Sequence, residues 1–274
     1  MLNVTFLGTG EAFDPDRCTT SYLIEHKGDK SDCSIMIDCG YDAPKSLMRL
    51  LDKQGRSLAD VPNALLFTHE HGDHFGGLPA LLMPIWEEVN GIVGNRKDGI
   101  KRKLEVMSAH PHLSTPERIM KHMEEDYKGF FERFKREGPT LSYRTLNPDG
   151  DFIYELRVSA AQTTHGAPNY AYRLGDGERE IAISGDGALT DKSRELFRGV
   201  DLLVHEGFYV DQSSKNHASI KEVVDYAIEA KLPRVAIVHV NREERRKIGE
   251  IDNLIEYARK NGVHVFLPFE HYVA

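Results

Sequence analysis

The sequence reads as an α/β fold in one domain, on three observations. Short apolar or β-branched runs closed by turn residues recur through both halves, helical spacing separates several of them, and no Pro/Ser-rich linker or low-complexity tract divides the 274 residues. In the first half the strands are Val4–Leu7, Thr20–Glu25, Ser34–Asp38 and Ala64–Phe67, rich in side chains that suit a pleated, half-buried surface. Ala43–Gln54 places Leu47, Leu50 and Leu51 on one side of a helix. In the second half Phe152–Ala160, Tyr170–Leu174, Glu180–Ser184, Leu202–His205, Arg234–Val240 and Val263–Phe269 read as strands. Ser219-Ile220-Lys221-Glu222 is a capping box, opening a helix through Ala230 whose apolar side is Ile220, Val223, Val224, Ala227 and Ile228. Another helix is expected from about Arg242 to Arg259.

Residues 84–140 depart from this rhythm. The segment opens on Pro84-Ile85-Trp86 and continues through the basic stretch 96–103. It ends in a helix candidate started by Thr115-Pro116-Glu117, with Ile119, Met120, Met123, Tyr127, Phe130, Phe131 and Phe134 at three- and four-residue spacing. An apolar stripe needs a partner, so this is a helix on the core, a lid over a site, or a homodimer surface. The basic stretch reads as a solvated turn ahead of a phosphate patch.

The chemistry concentrates in Thr68-His69-Glu70-His71-Gly72-Asp73-His74, where three imidazoles and a carboxylate follow the apolar run Ala64–Phe67. Neutral imidazole and ionised carboxylate are the usual protein ligands of zinc and its neighbours. His69 and His71, two apart, point to one side of an extended segment, and Gly72 lets the chain turn so that Asp73 and His74 serve a second position. The spacing does not fit the single helical face of a His-Glu-x-x-His protease motif. A polar loop that happens to be histidine-rich is the bland alternative. Further donors stand at strand ends: His165 after Thr163-Thr164, Asp186 in Ser184-Gly185-Asp186-Gly187, and His239 closing Val235–Val238. A carboxylate has two oxygens to share between ions, which makes Asp186 the candidate bridge.

Bulk properties bound the rest. No apolar stretch approaches the ~20 residues of a membrane helix, and the N-terminus reads as a strand in place of a signal sequence. Cys18, Cys33 and Cys39 form no Cys-x-x-Cys pair, so a disulfide framework is not indicated and a reducing cytoplasm is the default. A net charge of −8 disfavours sequence-independent binding to long nucleic acids.

With His69-x-His71-x-Asp73-His74 followed in order by His165, Asp186 and His239, the chain resembles the metallo-β-lactamase superfamily, from Leu7-Gly8-Thr9-Gly10 to Val238-His239. The resemblance implies an αββα sandwich with two divalent ions at one sheet edge. One ion is implied on His69, His71 and His165, the other on Asp73, His74 and His239, with Asp186 and a hydroxide between them. Zinc leads, and manganese or iron suits the same donors. Gly8–Ala12, Tyr22–Glu25, Ile37–Gly40, His74–Leu78, His205-Glu206 and His217-Ala218-Ser219 look like the branch holding ribonuclease Z and related phosphodiesterases. That branch implies His217 as proton donor at the scissile phosphate, and Asp73 is the candidate to orient the hydroxide. Asp38, His205 and Glu206 are candidates to hold ligand imidazoles or the general acid in place.

Two departures narrow the expectation. His165 and Asp186 are only 21 positions apart, which leaves no room for the tRNA-gripping arm of ribonuclease Z. The extra cysteine zinc site of the cyclic phosphodiesterases of phosphonate breakdown is absent from the sequence. The expected activity is therefore metal-dependent hydrolysis of a small or single-stranded phosphodiester, such as a cyclic nucleotide or short RNA. The alternatives are a lactonase, arylsulfatase or other ester hydrolase, a short-form ribonuclease Z-like RNase, and a metal-stabilised interaction protein.

Overall fold

The computed structural model describes residues 1–28, 32–89, 103–110, 140–212 and 214–274. Two sheets face each other. The first runs in order β1 (Leu2–Gly8), β2 (Ser21–His26), β3 (Cys33–Ile37), β4 (Ala64–Leu66), β5 (Lys103–Ser108), β6 (Thr140–Thr145). Its β1–β3 are antiparallel and β3–β6 parallel. The second contains β7 (Asp151–Ile153), β8 (Leu156–Gln162), β9 (Tyr170–Gly175), β10 (Glu180–Ile183), β11 (Leu202–Glu206), β12 (Arg234–Val238) and β13 (His264–Phe266), also in sequence order. Here β7–β10 are antiparallel and β10–β13 parallel.

The period of two along each strand sorts side chains between layers. Ile35 and Ile37 point between the sheets, where they join Phe6, Val158, Tyr172, Ile183 and Val204, while Met36 faces the other way. On that outer face lie α1 (Ala43–Gln54) and α3 (Leu78–Val89), burying Leu47, Leu51, Leu82, Ile85 and Trp86 against Met36 and Leu65. The second sheet is covered by α4 (Asp191–Phe197), α5 (Ile220–Glu229) and α6 (Ile248–Lys260), whose Phe197, Val223, Val224 and Ile251 pack on Leu203, Val235 and Ile237. The result is an αββα sandwich. Truncating a side chain such as Leu47 in such a layer costs about 2–5 kcal/mol.

The elements match the sequence reading with informative exceptions. The capping box forms: Glu222 N–H donates to Ser219 Oγ (3.2 Å) and Ser219 N–H to Glu222 Oε2 (2.9 Å). The run 152–160 is not one strand but the hairpin β7–β8, turned at Tyr154 in the left-handed region (φ 56°). The last helix starts at Ile248, after a short 3-10 turn at Glu244–Arg246. β12 stops at Val238, and β13 covers only His264–Phe266. Within the departing segment, Pro84-Ile85-Trp86 belongs to α3, and β5 and β6 extend the first sheet. The basic stretch and the 115–134 helix candidate fall outside the described residues, apart from the backbone of Lys103 in β5. No helix among the described residues is long and apolar enough to cross a membrane.

Candidate metal centre

Both sheets present strand exits to one seam, and the polar residues at those exits meet there. Asp38 follows β3, residues 68–74 follow β4, His165 follows β8, Asp186 follows β10, Glu206 ends β11 and His239 follows β12. Two of these exits are bent hard: Asp38 (φ 57°) and His239 (φ 54°) are left-handed without being glycine. Such a conformation costs about 1–3 kcal/mol and persists only where neighbours hold it. Gly185 (φ 62°) precedes Asp186 for a steric reason as well. A Cβ there would lie 2.5 Å from Asn169 Oδ1 and 2.7 Å from Thr68 Cβ.

Two groups of donor atoms result, the members of each within 4.8 Å of one another: His69, His71, His165 and Asp186, and Asp73, His74, Asp186 and His239. Asp186 belongs to both. The sequence-predicted ligand candidates are thus all brought to one place.

Their hydrogen bonds orient the rings. Asp38 Oδ1 accepts from the Thr68 N–H (2.8 Å) and Oδ2 from the Thr68 hydroxyl (2.8 Å), which leaves Thr68 Oγ1 to accept from His69 Nδ1 (3.0 Å). His74 Nδ1 donates to Asp38 Oδ2 at 2.7 Å. The Thr20 hydroxyl donates to Gly10 O (2.8 Å) and so accepts from His239 Nδ1 (3.0 Å). His165 Nδ1 donates to the Asn216 carbonyl at 2.9 Å. In each of these four rings Nδ1 is the nitrogen held by a neighbour, so a neutral ring carries its proton there and offers the lone pair of Nε2 to the cluster.

Those lone pairs lack ordinary partners. His69 Nε2, His74 Nε2 and Asp186 Oδ1 are buried and make no hydrogen bond among the described residues. His74 Nε2 lies 3.2 Å from Asp186 Oδ1, and His165 Nε2 lies 3.0 Å from His71 Nδ1. Buried polar atoms are normally satisfied, and a cation at each of the two donor groups would satisfy them. The donor set, imidazole and carboxylate without thiolate, fits zinc, manganese or iron. Burial and the neighbouring His74 hold His69 well below the usual imidazole range, and burial lowers His165 too. Both are neutral, the form that can ligate. Burial alone would raise Asp186, but His239 and His74 outweigh it and keep the carboxylate ionised.

Beside this cluster stands an acid–imidazole pair. Glu206 Oε2 accepts from His217 Nδ1 at 2.9 Å, while Oε1 accepts from the Gly187 and Ala218 N–H groups. The His217 ring stacks on Phe208 (centroids 4.4 Å apart, planes 23°) and lies 5.0 Å from the His165 ring. Burial raises the Glu206 carboxyl. Burial would also lower His217, but its hydrogen bond to Glu206 and that group's charge prevail and raise it.

His205 takes a different place from the one expected. It sits on the opposite face of β11, its Nδ1 donating to the Glu206 carbonyl (2.8 Å) and its ring edge on Phe197. It makes no hydrogen bond to any ligand candidate among the described residues. Asp38 and Glu206 do contact the residues they were expected to hold. Several positioning groups carry no sequence signal: Thr20, the Asn216 carbonyl, and Asn169, whose Nδ2 donates to Ser184 O (2.9 Å) and Asp186 O (2.6 Å). Tyr172 also went unread; its hydroxyl donates to Phe67 O (2.8 Å) and accepts from Ala109 N (2.8 Å), tying the sheets beside the motif.

Comparison with known proteins follows the same lines. A family model described as a β-lactamase superfamily domain matches residues 34–240. The chain is similar to a ribonuclease Z of Metallosphaera sedula, 23% identical over 302 residues that cover 98% of this chain and 97% of the other. Among solved structures it resembles the metallo-β-lactamase fold protein YhfI from Bacillus subtilis, with a TM-score of 0.74, 22% identity, and coverage of 100% and 98% of the two chains. It also resembles human tRNase Z, short form, with a TM-score of 0.65, 20% identity, and coverage of 99% and 98%. These structural likenesses concern the fold.

Proposed function

The chain belongs to the β-lactamase superfamily, and from that premise we propose that it is a metal-dependent phosphodiesterase acting on a small or single-stranded phosphodiester, such as a cyclic nucleotide or short RNA. The observation that carries the reading is the Glu206–His217 pair, placed beside the donor cluster with the remaining His217 nitrogen, Nε2, unclaimed by Glu206. The similarity to a ribonuclease Z along nearly the whole chain supports the same bond type.

In this reading His69, His71, His165 and Asp186 hold one ion, and Asp73, His74, His239 and the same Asp186 hold the other. When bound, two such ions supply a water of lowered pKa, towards ~7, and positive charge for the phosphoryl oxygens. The protein's own groups do the rest. Asp73, in the first turn of α2 (Gly72–Phe75), accepts a hydrogen bond from the attacking water and orients it. As the water oxygen adds to phosphorus, having released one proton to solvent, the P–O bond to the leaving group breaks and His217 Nε2 gives its proton to the departing alkoxide. Glu206 holds Nδ1–H and keeps the ring charged until then. Phe208 fixes the ring plane by stacking. The unpaired Cys18, Cys33 and Cys39 fit a reducing cytoplasm.

The test is hydrolysis of bis(p-nitrophenyl) phosphate by metal-loaded protein with a chelated control. Chelator-sensitive turnover is expected. No turnover despite bound metal would overturn the phosphodiesterase reading and leave the lactone, sulfate or other ester on the same scaffold. His217→Ala should keep the metal content and lose about 10²–10⁴-fold on a diester with an alkoxide leaving group. On p-nitrophenolate, which needs no proton, the loss should be small. Equal loss on both would remove the proton-donor role.

A further inference from the structure

A cavity lies apart from the metal centre, between residues 15–17, the 242–246 segment and the first turns of α6. Its volume is about 480 Å³, and none of the donor residues line it. That size suits a small organic ligand. The floor is aliphatic, built from Ile248, Ile251, Ile255 and Leu267, and Ile248 stands 65% exposed.

Four arginines stand at the rim, and they are not equivalent. Arg242 pairs with Glu11 at 3.1 Å, Arg245 with Asp14, and Arg246 with Glu243 at 2.6 Å. Arg17 has no carboxylate within ion-pair distance among the described residues. Its Nη1 donates only to neutral oxygens, Thr9 Oγ1 (3.0 Å) and Pro268 O (3.3 Å). Burial and then the charge of Arg245 work against this guanidinium, and Asp14, Glu270 and Asp16 offset them only in part, so a further anion beside it would be favoured. The start of α6 borders the same space without a side-chain cap from Lys247, which adds a partial positive charge. Asp16 and Asp252 also line the cavity. Asp16 is paired with Arg245 at 3.4 Å, so Arg17 alone offers its charge to a guest, and the acids penalise a second negative charge.

We infer that this cavity binds a monoanionic amphiphile, a small molecule with an aliphatic body on the isoleucine floor and a single carboxylate-type head on Arg17. The inference is independent of the phosphodiesterase reading.

Octanoate titrated calorimetrically into metal-loaded protein is the probe, with octanol and acetate as its headless and tailless counterparts. Saturable binding of octanoate is expected, with acetate and octanol far weaker. Arg17→Gln should weaken octanoate about tenfold, the loss of one charge-assisted contact. Ile248→Asn, at an exposed position that spares the core, should weaken it several-fold. Unchanged octanoate affinity in both variants would overturn the site. So would acetate competing as an equal, which would put the carboxylate on the metals, or octanol binding equally well, which would leave Arg17 no part.

Discussion

The two donor groups that share Asp186 are held in different ways. Asp73, His74 and His239 are buried, and their rings lean on side chains inside the protein: His74 on Asp38, His239 on Thr20. In the other group His71 and His165 reach partial exposure, and His165 relies on the backbone carbonyl of Asn216 in a loop. The first arrangement is pre-organised by packed neighbours, and the second is open to solvent and substrate. A buried group with fixed tautomers should hold its ion more tightly, and the open group should exchange first.

The largest effect expected is loss of the contrast itself. Asp186→Asn removes the shared carboxylate charge, and both ions should leave together, with activity down on the order of 10³-fold or more. Metal analysis after dialysis checks it. One ion kept at full occupancy would mean that Asp186 does not bridge.

Asp38→Asn should act most strongly on the buried group, whose His74 it holds directly, and only at second hand on His69 of the open group. It weakens the partner that orients His74 and, through Thr68, His69, and the expected loss in metal affinity is about 10–100-fold. Competition with a graded chelator should show the tightly held ion turning weak. If only the weakly held ion responds, the assignment of the two affinities is reversed.

A smaller effect separates the histidines of the centre from the one behind it. Burial lowers His205 from 6.5 to about 4. The folded protein keeps this ring neutral where the unfolded chain protonates it, so its contribution to stability falls as pH drops from 6.5 towards 4. Between pH 7 and pH 5 the loss is roughly 2 kcal/mol. Urea denaturation at the two pH values should show a shallower fall in His205→Leu than in the parent. Parallel slopes would contradict a neutral buried ring.

The donor candidates were legible because each is an unusual residue in an unusual place: imidazoles spaced by two after an apolar strand, and single His or Asp residues at the ends of β8, β10 and β12. α1 was legible from its leucine spacing, and α5 from Ser219 and Glu222. What stayed hidden lacked a chemical mark. The Tyr154 turn contains neither Gly nor Pro, so 152–160 read as continuous. α4 is capped by Thr190 with Ser193 at the third position, a weaker signature than a glutamate. Thr20 and Asn169 are ordinary residues in sequence, and their roles exist only once both sheets are in place. His205 followed from adjacency to Glu206, but neighbours on a strand face opposite ways.

The donors do not come from one layer of the fold. Residues 69–74 hang from the first sheet, while His165, Asp186 and His239 hang from the second. An ion seated between them is therefore a rivet through the sandwich. At a thousandfold excess over its dissociation constant, such a ligand stabilises the folded state by about 4 kcal/mol. Stripping it would unfasten the two halves at the very edge where substrate enters, so thermal resistance and readiness to turn over would rise and fall together.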